Sequence, residues 1–405
     1  MDTKNSRIAV VDGVRCFSML IIMGFHFWQQ SWLQNIFPDD LLRSFGVKHF
    51  SLTWIPRTGY MFVDVLLLLS GFCLFLPYAR QMTDPLAPEP DSIGVYFKKR
   101  AVRILPCYYL VLAVYLIFWV RPSDYSSFSA YLRDALAHFS CTHVFWPQTY
   151  LSTRFSTVLW TLGVEAQFYL VFPLLARVFR RFPLQTWAAL CLIAQGYIAF
   201  RARLPEGGAD GFRINQLPAM AAVYANGMLA AVICCELRQR RISRRGRWCA
   251  AGGCAVIYIA LVCMLRDGLN VAAVIQRWQI DYRFWFSAFA AAFILLLDNV
   301  PRAVQFPFAN RLVLFVSAIS YNLYLWHTTV MLKLKEWHFP PYPDGGPNAS
   351  AWPQSASGEL WHTAWQWRYT AVFWGAAFLL ATLITYGFEK PISRVLLRRK
   401  ADRQT

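Results

Sequence analysis

The chain has 405 residues, of which 57% are hydrophobic and 15% are charged, and its formal net charge is +18. Soluble globular proteins carry about 25% charged residues, so this composition excludes an ordinary soluble protein and predicts a membrane protein. The basic residues lie in short clusters between apolar segments rather than along one soluble face, which argues against a nucleic-acid-binding protein.

Ten apolar segments approach the length needed to cross a bilayer as a helix. They lie at 8–32, 58–78, 105–120, 158–176, 184–200, 217–236, 248–265, 284–300, 312–332 and 369–388. Lys and Arg are more frequent in the loops, such as 79–104 and 237–247, that this order places on the same side as the termini. The sequence therefore predicts an all-α polytopic membrane protein of about ten transmembrane helices with both termini cytoplasmic.

The remaining features of the chain favour one domain. Most of the ten cysteines lie in or beside apolar segments, where they are expected to be small hydrophobic side chains rather than disulfides or metal ligands. The first apolar segment is too long for a signal peptide and is expected to be retained. Residues 1–405 are expected to form a single integral-membrane domain, without an appended soluble domain, in the cell (plasma or inner) membrane.

The segment 333–368 is rich in Pro, Gly, Ser and Trp. The topology above places it outside, where it is expected to be irregular. Its tryptophans suit the aromatic belt at a membrane interface, and a sugar-stacking surface is the alternative.

Arg15 and His26 are ionisable residues within the first predicted span. Eleven residues at about 100° each make about 1100°, so both side chains lie on one face of the helix, about 16 Å apart along its axis. Asp12 lies three residues before Arg15 and can pair with it. Charges within a span are costly and mark functional candidates.

Three further polar groups lie within predicted spans. Asp64 and Glu165 are expected about 10 Å below the outer surface, at the depth of His26. His327 falls in the outer half of the ninth span, where a hydrogen bond within the helix bundle is the more ordinary role for a histidine. The pair Arg100 and Arg103, one helical turn apart, could bind a phosphate or could only signal topology.

These segments resemble the acyltransferase 3 family of membrane O-acyltransferases. The matching segments, in the family's order, are Arg15 with His26, "VDVLLLLSGF" (63–72), "FKKRAVRILPCYY" (97–109), "LWTLGVEAQFYLVFP" (159–173) and "SYNLYLWH" (320–327). Two positions depart from the family pattern: Cys16 replaces a glycine and Ala166 replaces a second glutamate. Neither departure removes a candidate catalytic group.

The resemblance implies transfer of an acyl group, with acetyl favoured, from cytoplasmic acyl-CoA to a hydroxyl of an outer-face glycan or lipid-linked sugar. His26 would be the general base and Glu165 would orient its imidazolium. Arg100 and Arg103 would hold the CoA phosphates, and Arg15 would bind the pantetheine or diphosphate part or gate the path along the first helix. The expected supporting residues are Asp12, Asp64, Ser70 and His327. The expected partners are acyl-CoA, the sugar acceptor and membrane lipids, with no permanently bound cofactor or metal.

Two other classes of membrane protein remain open on the residues alone. A transporter or flippase would also place buried charges along a substrate pathway, although such proteins tend to show internal repeats. A structural or sensory membrane protein would use the same groups only to hold helices together.

Overall fold

The computed structural model of the protein describes residues 8–31, 46, 54–202, 211–270, 275–341 and 363–398. Within these ranges the regular elements are helices and none is a strand, which confirms the predicted all-α class. The main helices are α1 (Ala9–Ser31), α2 (Phe62–Thr83), α3 (Ile93–Phe118), α4 (Phe128–Phe139), α5 (Trp160–Arg181), α6 (Pro183–Ala202), α7 (Leu217–Gln239), α8 (Arg244–Asn270), α9 (Ile275–Leu297), α10 (Arg302–Ala309), α11 (Arg311–Glu336), α12 (Thr363–Ile384) and α13 (Lys390–Arg398). A π-helical turn, Thr385–Glu389, joins the last two.

Nine helical stretches in the described part of the chain are long and apolar enough to cross a membrane. They cover nine of the ten predicted spans, and α10 joins α11 in one stretch, Arg302–Glu336. The remaining predicted span, 184–200, coincides with the 20-residue helix α6, which is not among the nine. The chain is therefore a polytopic membrane protein.

Helices α2 and α7 pack along much of their length at unusually close range. A Cβ added to Gly71 would lie 2.5 Å from the carbonyl oxygen of Tyr224, and one added to Gly227 would lie 2.1 Å from that of Leu68. Glycine is therefore required at both positions, because small residues let membrane helices approach each other closely. This contact fixes α2, which carries Ser70, in the middle of the bundle.

The third span differs in extent from its prediction. Helix α3 begins at Ile93 rather than near residue 105, so Arg100 and Arg103 belong to the helix and not to the loop before it. The predicted loop 121–157 contains a further helix, α4. Most of the predicted irregular segment 333–368 lies outside the described residues, which end at 341 and resume at 363.

The predicted orientation can be tested with single cysteines. Ser126 follows α3 and Ser243 precedes α8, both are exposed, and the topology places them on opposite sides of the membrane. All ten native cysteines are free, so they can be removed without breaking a disulfide. In that background an impermeant thiol reagent is expected to label Ser126→Cys on intact cells and Ser243→Cys only after the cells are opened. The reverse labelling pattern would show that the protein has the opposite orientation in the membrane.

Candidate functional site

Five helices enclose a cavity of about 350 Å³ in the middle of the bundle. Its polar lining comes from α1, α2, α3, α5 and α11. These lining residues are Arg15, Ser70, Arg100, Arg103, Thr161, Glu165, Tyr169, Ser320, Tyr321 and Tyr324. Five of the residues predicted from the sequence, namely Arg15, Ser70, Arg100, Arg103 and Glu165, thus share one cavity.

Glu165 is the carboxylate of the α5 wall. The hydroxyls of Ser70 and Tyr169 interact with it, and the charges of Arg100 and Arg15 act on it across the cavity. The Ser70 and Tyr169 hydroxyl oxygens are 3.5 Å apart. Glu165 therefore has polar or charged neighbours on α1, α2 and α3 as well as on its own helix, α5. Sequence reasoning missed Tyr169, which lies one helical turn after Glu165 and could have been found from that spacing.

Arg15 is held in place by two neighbours. Its Nη1 donates to Asp12 Oδ1 at 2.9 Å, which confirms the predicted pair, and its Nη2 contacts Cys73 Sγ at 3.4 Å. Ser317 on α11 donates a hydrogen bond to the same Asp12 oxygen at 3.0 Å. The guanidinium is consequently fixed at the cavity wall by groups from α1, α2 and α11.

The two arginines of α3 differ in their partners. Arg103 Nη1 donates to Glu389 Oε1 at 2.5 Å, and Asn322 Nδ2 donates to Glu389 Oε2 at 2.7 Å. Arg103 is nevertheless half exposed, whereas the Glu389 side chain is 3% exposed. Arg100 has a buried Nε with no hydrogen-bond partner within the described residues. Sequence reasoning missed Glu389, although an acidic residue directly after the last predicted span was a visible signal.

His26 is not among the described residues that line the cavity. Its Nδ1 lies 3.2 Å from Gln29 Oε1, and its ring centroid lies 5.1 Å from that of His327. The His327 ring lies 5.8 Å from the ring of Tyr324, which does line the cavity. A continuous row of ring contacts therefore runs from the cavity wall to His26. The described contacts do not bring His26 and Glu165 together.

The buried ring of His327 has a defined tautomer. Its Nδ1 lies 3.0 Å from the Leu323 carbonyl oxygen and 2.8 Å from the Tyr324 carbonyl oxygen. A carbonyl oxygen only accepts hydrogen bonds, so Nδ1 carries the proton. In the neutral ring Nε2 is then a free lone pair, and it is buried without a partner among the described residues. His327 is thus hydrogen-bonded within its own helix through Nδ1, as expected of a bundle residue, and its Nε2 lacks a partner among the described residues.

Asp64 lies away from the cavity, in a buried ion pair between α2 and α9. Arg283 Nε donates to Asp64 Oδ2 at 3.0 Å, and the side chains are 2% and 3% exposed. The same guanidinium donates to the Ile214 carbonyl oxygen and, at 2.8 Å, to Asn215 Oδ1. Asp64 is therefore a bundle-stabilising residue, consistent with a supporting position. Sequence reasoning missed Arg283, whose partner lies 219 residues away.

A second group of buried polar residues lies outside the membrane-spanning stretches, around α4. The rings of His138 and His143 stack with centroids 4.2 Å apart, and His138 pairs with Asp134. Burial, with the charge of His138, lowers the pKa of His143 to about 3. Burial also raises the pKa of the Asp134 carboxyl, but the contacts with His138 and Tyr125 outweigh it and leave that pKa lowered. This cluster was not expected from the sequence, because its members are joined through the fold of the loop.

Comparison with known proteins supplies independent information. A family model described as an acyltransferase domain matches residues 8–388. The chain is 27% identical to the acyltransferase MdmB of Streptomyces mycarofaciens over 228 residues, which cover 54% of this chain and 53% of that protein. It is 23% identical to the O-acetyltransferase OatA of Staphylococcus aureus over 319 residues, covering 74% and 51%. The chain thus spans about half the length of these curated relatives. No solved structure matches it.

Proposed function

The chain belongs to the acyltransferase family whose model matches residues 8–388, and on that premise we propose that it is a membrane O-acyltransferase. The acyl group, with acetyl favoured, is transferred from cytoplasmic acyl-CoA to a hydroxyl of a glycan or lipid-linked sugar at the outer face of the cell membrane. The observation that supports this most directly is the cavity shared by Arg15, Arg100, Arg103 and Glu165, from which a row of ring contacts leads to His26.

In this proposal the cavity holds the arm of acyl-CoA. Arg100 and Arg103 mark its end near the predicted cytoplasmic surface, and Met19 on α1 lines it as well. His26 lies seven residues after Met19, which is about 10 Å along the helix and about 700°, so both face the same direction. The CoA phosphates would bind at the arginines, and the pantetheine arm would follow α1 past Arg15 toward His26.

The proposed transfer needs a base at the outer end of this path. The acceptor hydroxyl oxygen attacks the thioester carbonyl carbon, and the carbon–sulfur bond breaks. His26 takes the hydroxyl proton and returns a proton to the leaving CoA thiolate, so atoms and charges balance. A sugar hydroxyl is a weak nucleophile at neutral pH, and an imidazole is the side chain whose ordinary pKa suits this role.

His327 supports His26 in this proposal, and Glu165 acts at a distance from it. The free Nε2 of His327 belongs to the ring beside His26 and can accept a hydrogen bond from the imidazole or from the acceptor. Glu165 has Ser70, Tyr169 and the cavity arginines as neighbours, so its role is to position the donor arm and Arg15. This modifies the sequence-based hypothesis that Glu165 directly orients the base.

Membranes containing the purified protein and radiolabelled acetyl-CoA test the proposal. Transfer of label to a saccharide acceptor, with release of free CoA, is expected. A transporter or a structural membrane protein would release no CoA. Comparison of surface glycans from cells with and without the protein would then identify the acceptor.

Arg100 offers the cleaner test of donor binding. We expect Arg100→Ala to weaken binding of CoA about tenfold, since hydrogen bonds between charged groups contribute about 1.5–3 kcal/mol. Arg100→Lys should restore binding only in part, because Lys lacks the planar fork. Calorimetric titration with CoA measures both.

The matched control is Lys98→Ala, which removes a positive charge from the same helix at a residue that does not line the cavity. An Arg103 variant is less informative, because it would leave Glu389 buried without its cation. Equal affinity for CoA in the wild type and in Arg100→Ala would show that Arg100 does not bind the donor and that its charge only directs membrane topology.

A further inference from the structure

A second concave site lies on the same three helices, α2, α3 and α5, that form one side of the cavity. It also measures about 350 Å³ and is lined by Tyr78, Ile93, Pro173, Arg177, Arg180 and Arg181, which we call the arginine groove. Its three arginines come from the last turns of α5, a position that the predicted topology places at the cytoplasmic surface.

The arginine groove and the cavity follow each other along the helices. Tyr78 lies one turn beyond Leu74, a cavity residue of α2. Pro173 lies one turn beyond Tyr169 on α5, and Ile93 lies about 10 Å before Arg100 on α3. One elongated ligand could therefore occupy both sites.

A layer of aromatic side chains packs against Tyr78, which lines the arginine groove. The rings of Tyr96 and Phe172 stack with centroids 5.4 Å apart, and the Tyr78 ring meets the Phe172 ring edge-on at 5.8 Å. The Tyr96 hydroxyl donates to the Tyr169 carbonyl oxygen at 3.2 Å, which ties this layer to the wall of the cavity. Aromatic packing and this hydrogen bond thus link the groove to the wall of the cavity.

The cavity arginines all have carboxylates close by. Arg15 pairs with Asp12, Arg103 pairs with Glu389, and Arg100 lies within the electrostatic influence of Glu165. Three positive and three negative groups cancel in formal charge. A ligand with several phosphates needs positive charge beyond what this cavity supplies.

The arginine groove has that excess of positive charge. None of its three arginines forms an ion pair with another described residue, and its lining contains no carboxylate. Asp91, whose charge acts on Tyr78, is bound through both oxygens by Lys99 at 2.6 and 2.8 Å. The groove therefore offers three guanidinium groups beside the apolar surface of Tyr78, Ile93 and Pro173.

We propose that the arginine groove binds the 3′-phosphorylated adenosine end of the CoA donor, a site distinct from the cavity that takes the diphosphate and pantetheine arm. The inference rests on the proposed function, because it assumes that CoA is the donor. The arginines bind the 3′-phosphate, and the apolar wall contacts the adenine. The separation of about 10 Å along α3 lets the diphosphate reach Arg100 at the same time.

Dephospho-CoA, which lacks only the 3′-phosphate, tests this without altering the protein. In nanodiscs of phosphatidylcholine we expect calorimetry to show that the wild type binds CoA at least about tenfold more tightly than dephospho-CoA. In the double variant Arg177→Gln/Arg180→Gln the two ligands should bind alike, with dephospho-CoA affinity unchanged. The control Arg244→Gln/Arg245→Gln removes two exposed arginines from another predicted cytoplasmic segment and should keep the preference for CoA.

The possible outcomes separate the two proposals. If the wild type binds CoA and dephospho-CoA equally, the arginine groove does not hold the 3′-phosphate, although CoA remains the donor. If the wild type binds neither ligand, the donor assignment itself fails. If the double variant loses only affinity for phosphatidylglycerol added to the nanodiscs and keeps the preference for CoA, the arginines bind a lipid headgroup and the inference is overturned.

Discussion

Acyl transfer by His26→Ala is expected to fall by about 10²–10⁴-fold, the usual contribution of a general base. The ring is half-buried at the end of the row of contacts that leads from the cavity through Tyr324 and His327. Its removal takes one polar side chain from the bundle, so the protein should still insert and fold. The rate is measured with labelled acetyl-CoA on protein whose melting temperature matches the wild type.

Gln29→Ala is the matched control for this experiment, and His327→Ala tests whether His327 is the base instead. Gln29 contacts the His26 ring at Nδ1 and should affect only its orientation, with a loss well below that of His26→Ala. If His26→Ala keeps more than about a tenth of the wild-type rate while His327→Ala loses about 10²-fold or more, the base is His327. Binding of CoA should be unchanged in all three variants, because none of these residues lines the cavity.

Arg283→Met is expected to destabilise the bundle by about 3–5 kcal/mol, the usual cost of removing one partner from a buried ion pair. The variant leaves Asp64 at 2% exposure without its cation, and it also removes the donors that serve Ile214 and Asn215. Methionine keeps the volume of the aliphatic stem, so the change removes the charge and these donors without a large loss of packing. A large fall in the melting temperature, followed by tryptophan fluorescence in detergent, is the expected result.

The double variant Asp64→Leu/Arg283→Met provides the control. Replacing both partners by apolar side chains removes the uncompensated carboxylate and should recover much of the lost stability. CoA affinity in the recovered protein should match the wild type, because neither residue lines the cavity. A double variant as unstable as Arg283→Met would show that the contacts to Ile214 and Asn215, rather than the ion pair, hold α9 in place.

Relationships within one helix were predictable from the sequence. The Asp12–Arg15 pair follows from a spacing of three residues. The order of motifs along the chain also identified the family correctly. The ion pair could be predicted because helix geometry fixes which residues along one helix are neighbours.

Contacts between helices were not predictable in the same way. The carboxylates of Asp64 and Glu165 were expected at one depth with His26, but depth does not determine which way a side chain points. Asp64 faces Arg283 on α9, whereas Glu165 faces the cavity. The partner of Arg103 is Glu389, 286 residues away, and no local spacing relates them. Which faces of two helices meet depends on how side chains of the whole bundle interlock.

The extent of α3 shows a related difficulty. A search for apolar segments stops at charged residues, and those of α3 precede residue 105. The predicted third span therefore starts near 105. The helix continues back to Ile93 because its charged residues extend toward water while its backbone remains hydrogen-bonded. Hydropathy therefore marks the part of a helix within the hydrocarbon and misses the part that carries Arg100 and Arg103.

The π-helical turn that carries Glu389 connects the junction of α12 and α13 to the wall of the cavity. Its carboxylate accepts hydrogen bonds from Arg103 and Asn322, so it ties the junction of α12 and α13 to the wall where the donor phosphates are proposed to bind. A phosphate that attracts Arg103 competes with Glu389 for the same guanidinium. Under the proposed function, loading and release of the donor would strain or relax this junction and would thereby link the amphipathic helix α13 to each turnover.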